Sequence, residues 1–134
     1  MPDRTRGPIG QAQEKDILEI ADDAGATVVS FRAASISAAT DMDELHKRLQ
    51  RYVEQTRPQR LIVDFTAVRF FSSTMLGLLV DLWKRLGQYG GRLVISGINP
   101  QLTRVFRITN LDRIFAFAPD REAALEQLRT GGTG

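Results

Sequence analysis

Residues 70–96 read FFSSTMLGLLVDLWKRLGQYGGRLVIS, and this stretch decides the fold. Met75, Leu76, Leu79, Leu82, Trp83 and Leu86 recur at three- and four-residue intervals, the stripe of a helix that lays one face on a core. Gly87, Gly90 and Gly91 follow the last apolar position. They predict the helix end, because glycine tolerates the left-handed geometry of a C-terminal cap. Leu93-Val94-Ile95-Ser96 then reads as a buried strand. A core-facing helix that feeds a buried strand calls for a sheet with helices packed against it.

Upstream, Leu61-Ile62-Val63-Asp64-Phe65 is apolar on both faces and predicts a central strand. Before it, Leu45, Leu49 and Val53 stand at four-residue spacing, with Lys47, Arg48, Gln50 and Arg51 facing away. Thr40 or Asp41 would cap that helix, its first acids suit the positive end of the dipole, and Pro58 stops it. Nearer the N-terminus, Ile17-Leu18-Glu19-Ile20 predicts a strand and Asp22-Asp23-Ala24-Gly25 a turn. Val29, Phe31 and Ala33 alternate with Ser30 and Arg32, the pattern of a half-buried strand, so an antiparallel hairpin is expected.

Downstream, Asn99-Pro100 opens a third helix carrying Leu102, Val105 and Phe106. Ile114-Phe115-Ala116-Phe117 predicts the last strand, and Pro119-Asp120 leads into a helix with Ala124, Leu125 and Leu128. The predicted order is β-β-α-β-α-β-α-β-α. That is one α/β domain: a mixed, mostly parallel sheet with an N-terminal hairpin and about four helices packed against it. Residues 1–15 read as a flexible leader, 16–129 as the domain, and 130–134 as a disordered tail.

The chain of 134 residues has 18 Lys+Arg against 16 Asp+Glu, a formal charge of only +2. Proteins built to grip a phosphate backbone need a clustered basic excess, so nucleic acid is not the expected partner. Without cysteine, disulfides, zinc thiolates and thiol nucleophiles are excluded. No apolar run is long enough to span a bilayer, and the first residues lack a signal-peptide core. A cytoplasmic protein without direct membrane insertion is expected.

The stretch that could carry chemistry is FFSSTMLG, where three hydroxyl residues stand between a buried strand and a buried helix. Ser72 or Ser73 could simply cap the helix. A small serine hydrolase using Ser73 or Ser72 would need a base, and His46 is the only imidazole. His46 sits among Leu45, Lys47 and Arg48 and reads as a solvent-facing helical residue; no G-x-S-x-G elbow is present. Asp41 with Asp43 reads as helix-start acids, and Asp22 with Asp23 as turn residues, rather than metal ligands. Lys47, Arg48, Arg51, Arg57 and Arg60 form either a solvated face or a dock for an acidic surface. Asp64 is either a sheet-end polar residue or a support for the hydroxyl loop.

Three blocks in order, VRFFSSTMLGLL, LWKRLGQYGGRLVIS and FRITNLDRIF, together resemble a STAS domain. The similarity runs from about Ile17 to Leu128 and points to the stand-alone branch, the bacterial anti-sigma factor antagonists. The resemblance implies a protein-binding module, not an enzyme and without a cofactor. Its partner would be an anti-sigma factor that is also a Ser/Thr protein kinase, to which ATP belongs. Matching Leu76 and Gly77 to the family's Leu-Gly places Ser73 and Thr74 on the family's hydroxyl pair. Thr74 is then the first choice of phospho-acceptor and Ser73 the second, with Phe71, Ser72, Ser73, Thr74 and Met75 as partner-binding residues. Ser72 stands where the family has Asp, and Met75 where it has Gly. The alternative is a scaffold that uses the fold without phosphorylation in a signalling or membrane-transport assembly.

Overall fold

The structure is a computed structural model that describes residues 17–36 and 42–130. The leader, the caps at Thr40 and Asp41, and residues 131–134 of the tail lie outside the described residues. Along the chain come β1 (Leu18–Asp23), β2 (Ala26–Phe31), β3 (Ser35–Ile36), α1 (Met42–Thr56), β4 (Arg60–Asp64) and β5 (Phe70–Phe71). There follow α2 (Ser73–Gly87), β6 (Arg92–Ser96), α3 (Pro100–Ile108), a 3-10 turn (Leu111–Arg113), β7 (Ala116–Ala118) and α4 (Arg121–Thr130).

The main sheet runs β1-β2-β4-β6-β7. β1 lies antiparallel to β2, and every later pairing in that sheet is parallel. Successive strand residues point to opposite faces, and each face has its own helical cover. On one face Leu61, Val63, Leu93 and Ile95 join Leu49 of α1, Leu79 and Leu82 of α2, and Phe106 of α3. On the other, Val28, Ile62 and Val94 meet Ala124 and Leu128 of α4. Each fully buried Leu or Phe contributes about 1.5–3 kcal/mol relative to an exposed one, so this double cover is what makes the sheet the spine of the molecule.

The structure corrects the N-terminal reading in two places. Asp22 and Asp23 belong to β1, and only Ala24 and Gly25 form the turn, with φ of 51° and 86°. Two consecutive positive φ angles make the tight two-residue hairpin whose twist matches the flanking strands. β2 is buried along its whole length rather than half-buried, because β1 and β4 flank it and both of its faces are covered.

The last strand also starts later than predicted. Asn110 turns the chain with φ 63°, the 3-10 turn follows, and Ile114 and Phe115 precede β7. Phe115 is apolar because it packs edge-on against Trp83 and Phe106, not because it pairs in the sheet. α4 runs through Thr130, one residue into the predicted tail. Sequence periodicity missed the two-residue pair of β3 with β5, and this pair sets the candidate site.

Candidate functional site

The hydroxyl triplet stands at the C-terminal end of the parallel strands, and the loop leading to it is tied down at each step. Asp64 ends β4, and its Oδ1 accepts bonds from the Thr66 amide (3.3 Å), the Thr66 hydroxyl (2.7 Å) and the Ser96 hydroxyl (3.0 Å). Arg121 of α4 lies 3.7 Å from its other oxygen. Asp64 is therefore a support of the loop's first turn as well as a sheet-end residue. Gly97 lets the chain pass close by: it has φ 73°, and a Cβ there would fall 2.3 Å from the Thr66 hydroxyl.

Beyond that turn, the amides of Arg69 and Phe70 both donate to the Ala34 carbonyl (2.7 and 3.1 Å). The Ser72 amide donates to the Ile36 carbonyl at 2.9 Å. Asn99 serves two elements: its Oδ1 caps α3 by accepting from the Leu102 amide (2.8 Å), and its Nδ2 donates to the Arg69 carbonyl (3.1 Å). Two neighbouring segments, the one at β3 and the one that opens α3, thus hold the backbone that delivers the triplet.

At the triplet the side chains separate. Phe71 is 5% exposed and packs on Phe65 and Phe106. Ser72 occupies the N-cap position of α2 with extended backbone, yet its side chain makes no cap bond. Its Oγ is buried and without a partner among the described residues. Ser73 and Thr74 are exposed, Met75 is wholly buried, and Gly77 is exposed again. The surface presented here is Phe70, which is 54% exposed, then Ser73, Thr74 and the bare backbone of Gly77.

Two expectations are corrected by this geometry. Phe71 and Met75 were placed on a partner-binding surface, but both are core side chains and shape the loop from beneath. Because Met75 points inward, it leaves the approach to Ser73 and Thr74 open. Sequence reasoning missed Phe70 and Gly77 as surface residues, and Asn99 and Thr66 as supports. For Phe70 and Phe71 an in–out alternation was available, but a two-residue strand does not reveal which of the two points out.

The electrostatics at this helix start are simple. The first turn of a helix carries amides without intrahelical acceptors and the positive end of the dipole. The Met75 amide closes onto the Ser72 carbonyl at 3.0 Å, and no acid stands in the first turn of α2. An anion added to Ser73 or Thr74 would meet donors and positive potential without displacing a native carboxylate of that turn.

His46 is not the solvent-facing residue expected. Its Nε2 lies 2.8 Å from Asp81 Oδ2, which also accepts from Gln50 (3.1 Å) and Arg85 (2.8 Å), and Arg85 reaches Glu54 at 2.5 Å. This network joins α1 to α2. Burial would raise the Asp81 carboxyl, but the donors from Arg85, Gln50 and His46 outweigh it and hold the group below its ordinary value. Asp81 stands eight positions after Ser73 in α2, about 12 Å along the axis, so the imidazole is committed to the helix seam rather than to the hydroxyls. The basic residues of the first helix region also disperse: Lys47 pairs with Asp43, Arg57 lies over the Tyr89 ring, and Arg60 faces a cleft with Glu122 and Glu126.

A family model described as STAS domain matches residues 18–124. The putative anti-sigma factor antagonist BtrV of Bordetella bronchiseptica is 28% identical over 92 residues, 69% of this chain and 78% of that protein. An anti-sigma-B factor antagonist of Listeria monocytogenes is 41% identical over 54 residues, 40% of this chain and 47% of that protein, so the match spans about half of it. The crystal structure of an anti-sigma factor antagonist from Mycobacterium paratuberculosis superposes with a TM-score of 0.73 at 28% identity, covering 84% of this chain and 92% of that one.

Proposed function

The chain belongs to the STAS domain family, and on that premise we propose that it is an anti-sigma factor antagonist, a regulatory binding protein. It sequesters an anti-sigma factor through the surface at the start of α2 and so releases a sigma factor for transcription. Gly77 is the observation that supports this most. Glycine inside a helix costs about 1 kcal/mol relative to alanine, and nothing within the described chain requires it here, since an added Cβ would meet no atom within 4 Å. Bare backbone beside two exposed hydroxyls and an exposed Phe70 suits the flush approach of another protein. The antagonist names of the matched relatives support the class of partner.

Phosphorylation switches the surface in this reading, with Thr74 the first acceptor and Ser73 the second. The anti-sigma factor is itself the Ser/Thr kinase and brings the ATP. A phosphate adds about −1.5 to −2 charges and several strong acceptors, which the helix start accommodates without unfolding. The partner, however, then meets an anion where it had met hydroxyls, and each ~1.4 kcal/mol of lost interaction weakens binding about tenfold. Ser72 takes no part as acceptor, because its hydroxyl is buried. The protein works in the cytoplasm; among the described residues no helix is long and apolar enough to cross a membrane.

The test is incubation with the anti-sigma factor kinase and ATP, followed by intact mass and site mapping. One added phosphate on Thr74 or Ser73 is the expected result. An unchanged mass, where the same kinase modifies another antagonist, would remove the switch and leave a binding surface alone.

A further inference from the structure

α2 begins at the hydroxyl loop and ends at Gly87, about 21 Å away at 1.5 Å per residue. At that far end the sheet has a notch. β7 pairs only with Val94, Ile95 and Ser96, so Arg92 and Leu93 of β6 have no strand beside them on that side. The chain before β7 is set back by the 3-10 turn, and a groove of about 490 Å³ remains between the end of α2 and the edge of β6. That volume falls within the range of small-molecule sites.

The groove's walls are apolar and partly fixed. Trp83 is half-buried and held edge-on by Phe115, with ring centroids 6.5 Å apart at 71°. Leu93 and Ile114 add apolar side chains, and the chain at Val94 and Ala116 completes the lining. Gly87 keeps the groove open: its backbone is ordinary helix, and a Cβ there would meet nothing within 4 Å.

Lys84 and Arg92 also line the groove, and neither forms an ion pair with any described residue. Their neighbour Arg85, by contrast, is held by Asp81 and Glu54. The carbonyls at the helix end are not waiting for a cation, because the Gln88 and Gly91 amides close onto Lys84, Arg85 and Leu86. An apolar slot beside an indole, with two cations free of ion pairs, complements a flat apolar body that carries an anionic group.

We propose that the groove between Trp83, Gly87 and Arg92 is a binding site for a small aromatic carboxylate, separate from the partner surface at the other end of α2. The aryl ring lies against Trp83 over Gly87, and the carboxylate meets Lys84 and Arg92.

Naphthoate is the probe, with uncharged naphthamide as its control. Trp83 is the only tryptophan, so a single indole N–H resonance in proton–nitrogen correlation spectra reports on the groove, while calorimetry gives affinity. A saturable shift of that resonance with naphthoate is expected, with naphthamide about tenfold weaker. Gly87→Leu fills the groove and removes binding while thermal stability holds or rises, since leucine is the better helix former. The double variant Lys84→Glu/Arg92→Glu weakens naphthoate at least as much as loss of the acid group does. Absence of a saturable shift, equal binding of acid and amide, or unchanged affinity in Gly87→Leu would each overturn the proposal. So would self-association of the free protein that Gly87→Leu abolishes, because the groove would then hold a second copy.

Discussion

Ser72 holds the N-cap backbone position of α2 while its hydroxyl bonds to nothing among the described residues. A working Ser cap contributes about 1 kcal/mol, whereas a buried hydroxyl without a partner is a cost. Ser72→Ala is therefore expected to leave unfolding stability within about 0.5 kcal/mol of the parent or to raise it; a clear loss in denaturant melts would show that the hydroxyl caps the helix after all. Met75 behaves in the opposite way. It is wholly buried, so Met75→Gly, which restores the residue the family resemblance leads one to expect, opens a cavity and adds a helix glycine. A loss of roughly 3–5 kcal/mol in the same melts is predicted. The triplet reads as one polar unit in sequence, but the structure divides it, with the Ser72 hydroxyl inward and Ser73 and Thr74 outward. Neither the two-residue nor the 3.6-residue period applies where a strand hands over to a helix, which is why that division was not legible.

At the scale of elements, α2 is the piece that joins everything: loop at one end, groove at the other, and the Asp81 network against α1 between them. Asp81→Ala leaves three donors without their acceptor and is predicted to cost about 1–3 kcal/mol at neutral pH. The sign of the pH dependence follows from the lowered carboxyl. A group whose pKa is depressed in the folded state adds stability above its unfolded value, about pH 4, and loses it as pH falls through the lower folded value. The gap between parent and Asp81→Ala in denaturant unfolding should therefore narrow below about pH 4; a gap that stayed constant into acid would contradict this role. The long elements were legible because Leu45, Leu49 and Val53, or Leu79, Leu82 and Leu86, repeat often enough to reveal a face. β3 and β5 were not, since two residues show no period. His46 was misread because its partner Asp81 lies 35 positions away on another helix, and no local pattern carries that pairing.

For the whole molecule, the fold class was legible because strands that alternate with core-facing helices need crossovers and cover on both faces of a sheet. The doubly buried reading of residues 61–65 located the centre of that sheet correctly. What the sequence pattern left open was which side of the hydroxyl loop faces out, because that depends on Ala34 and Ile36 at β3 and on Asn99 before α3 holding it from two other segments. On a chain with a formal charge of +2, one phosphate of about −2 at that loop would nearly cancel the excess, at the helix start where α2 carries no acid of its own. The most direct test of the account is calorimetric titration of the anti-sigma factor into three forms of the protein: parent, Ser73→Ala/Thr74→Ala and Ser73→Asp/Thr74→Asp. The first two should bind alike and the aspartate form at least about tenfold more weakly, with all three melting as folded proteins. Equal affinity of the aspartate and alanine forms would contradict the claim that the start of α2 is the switched surface.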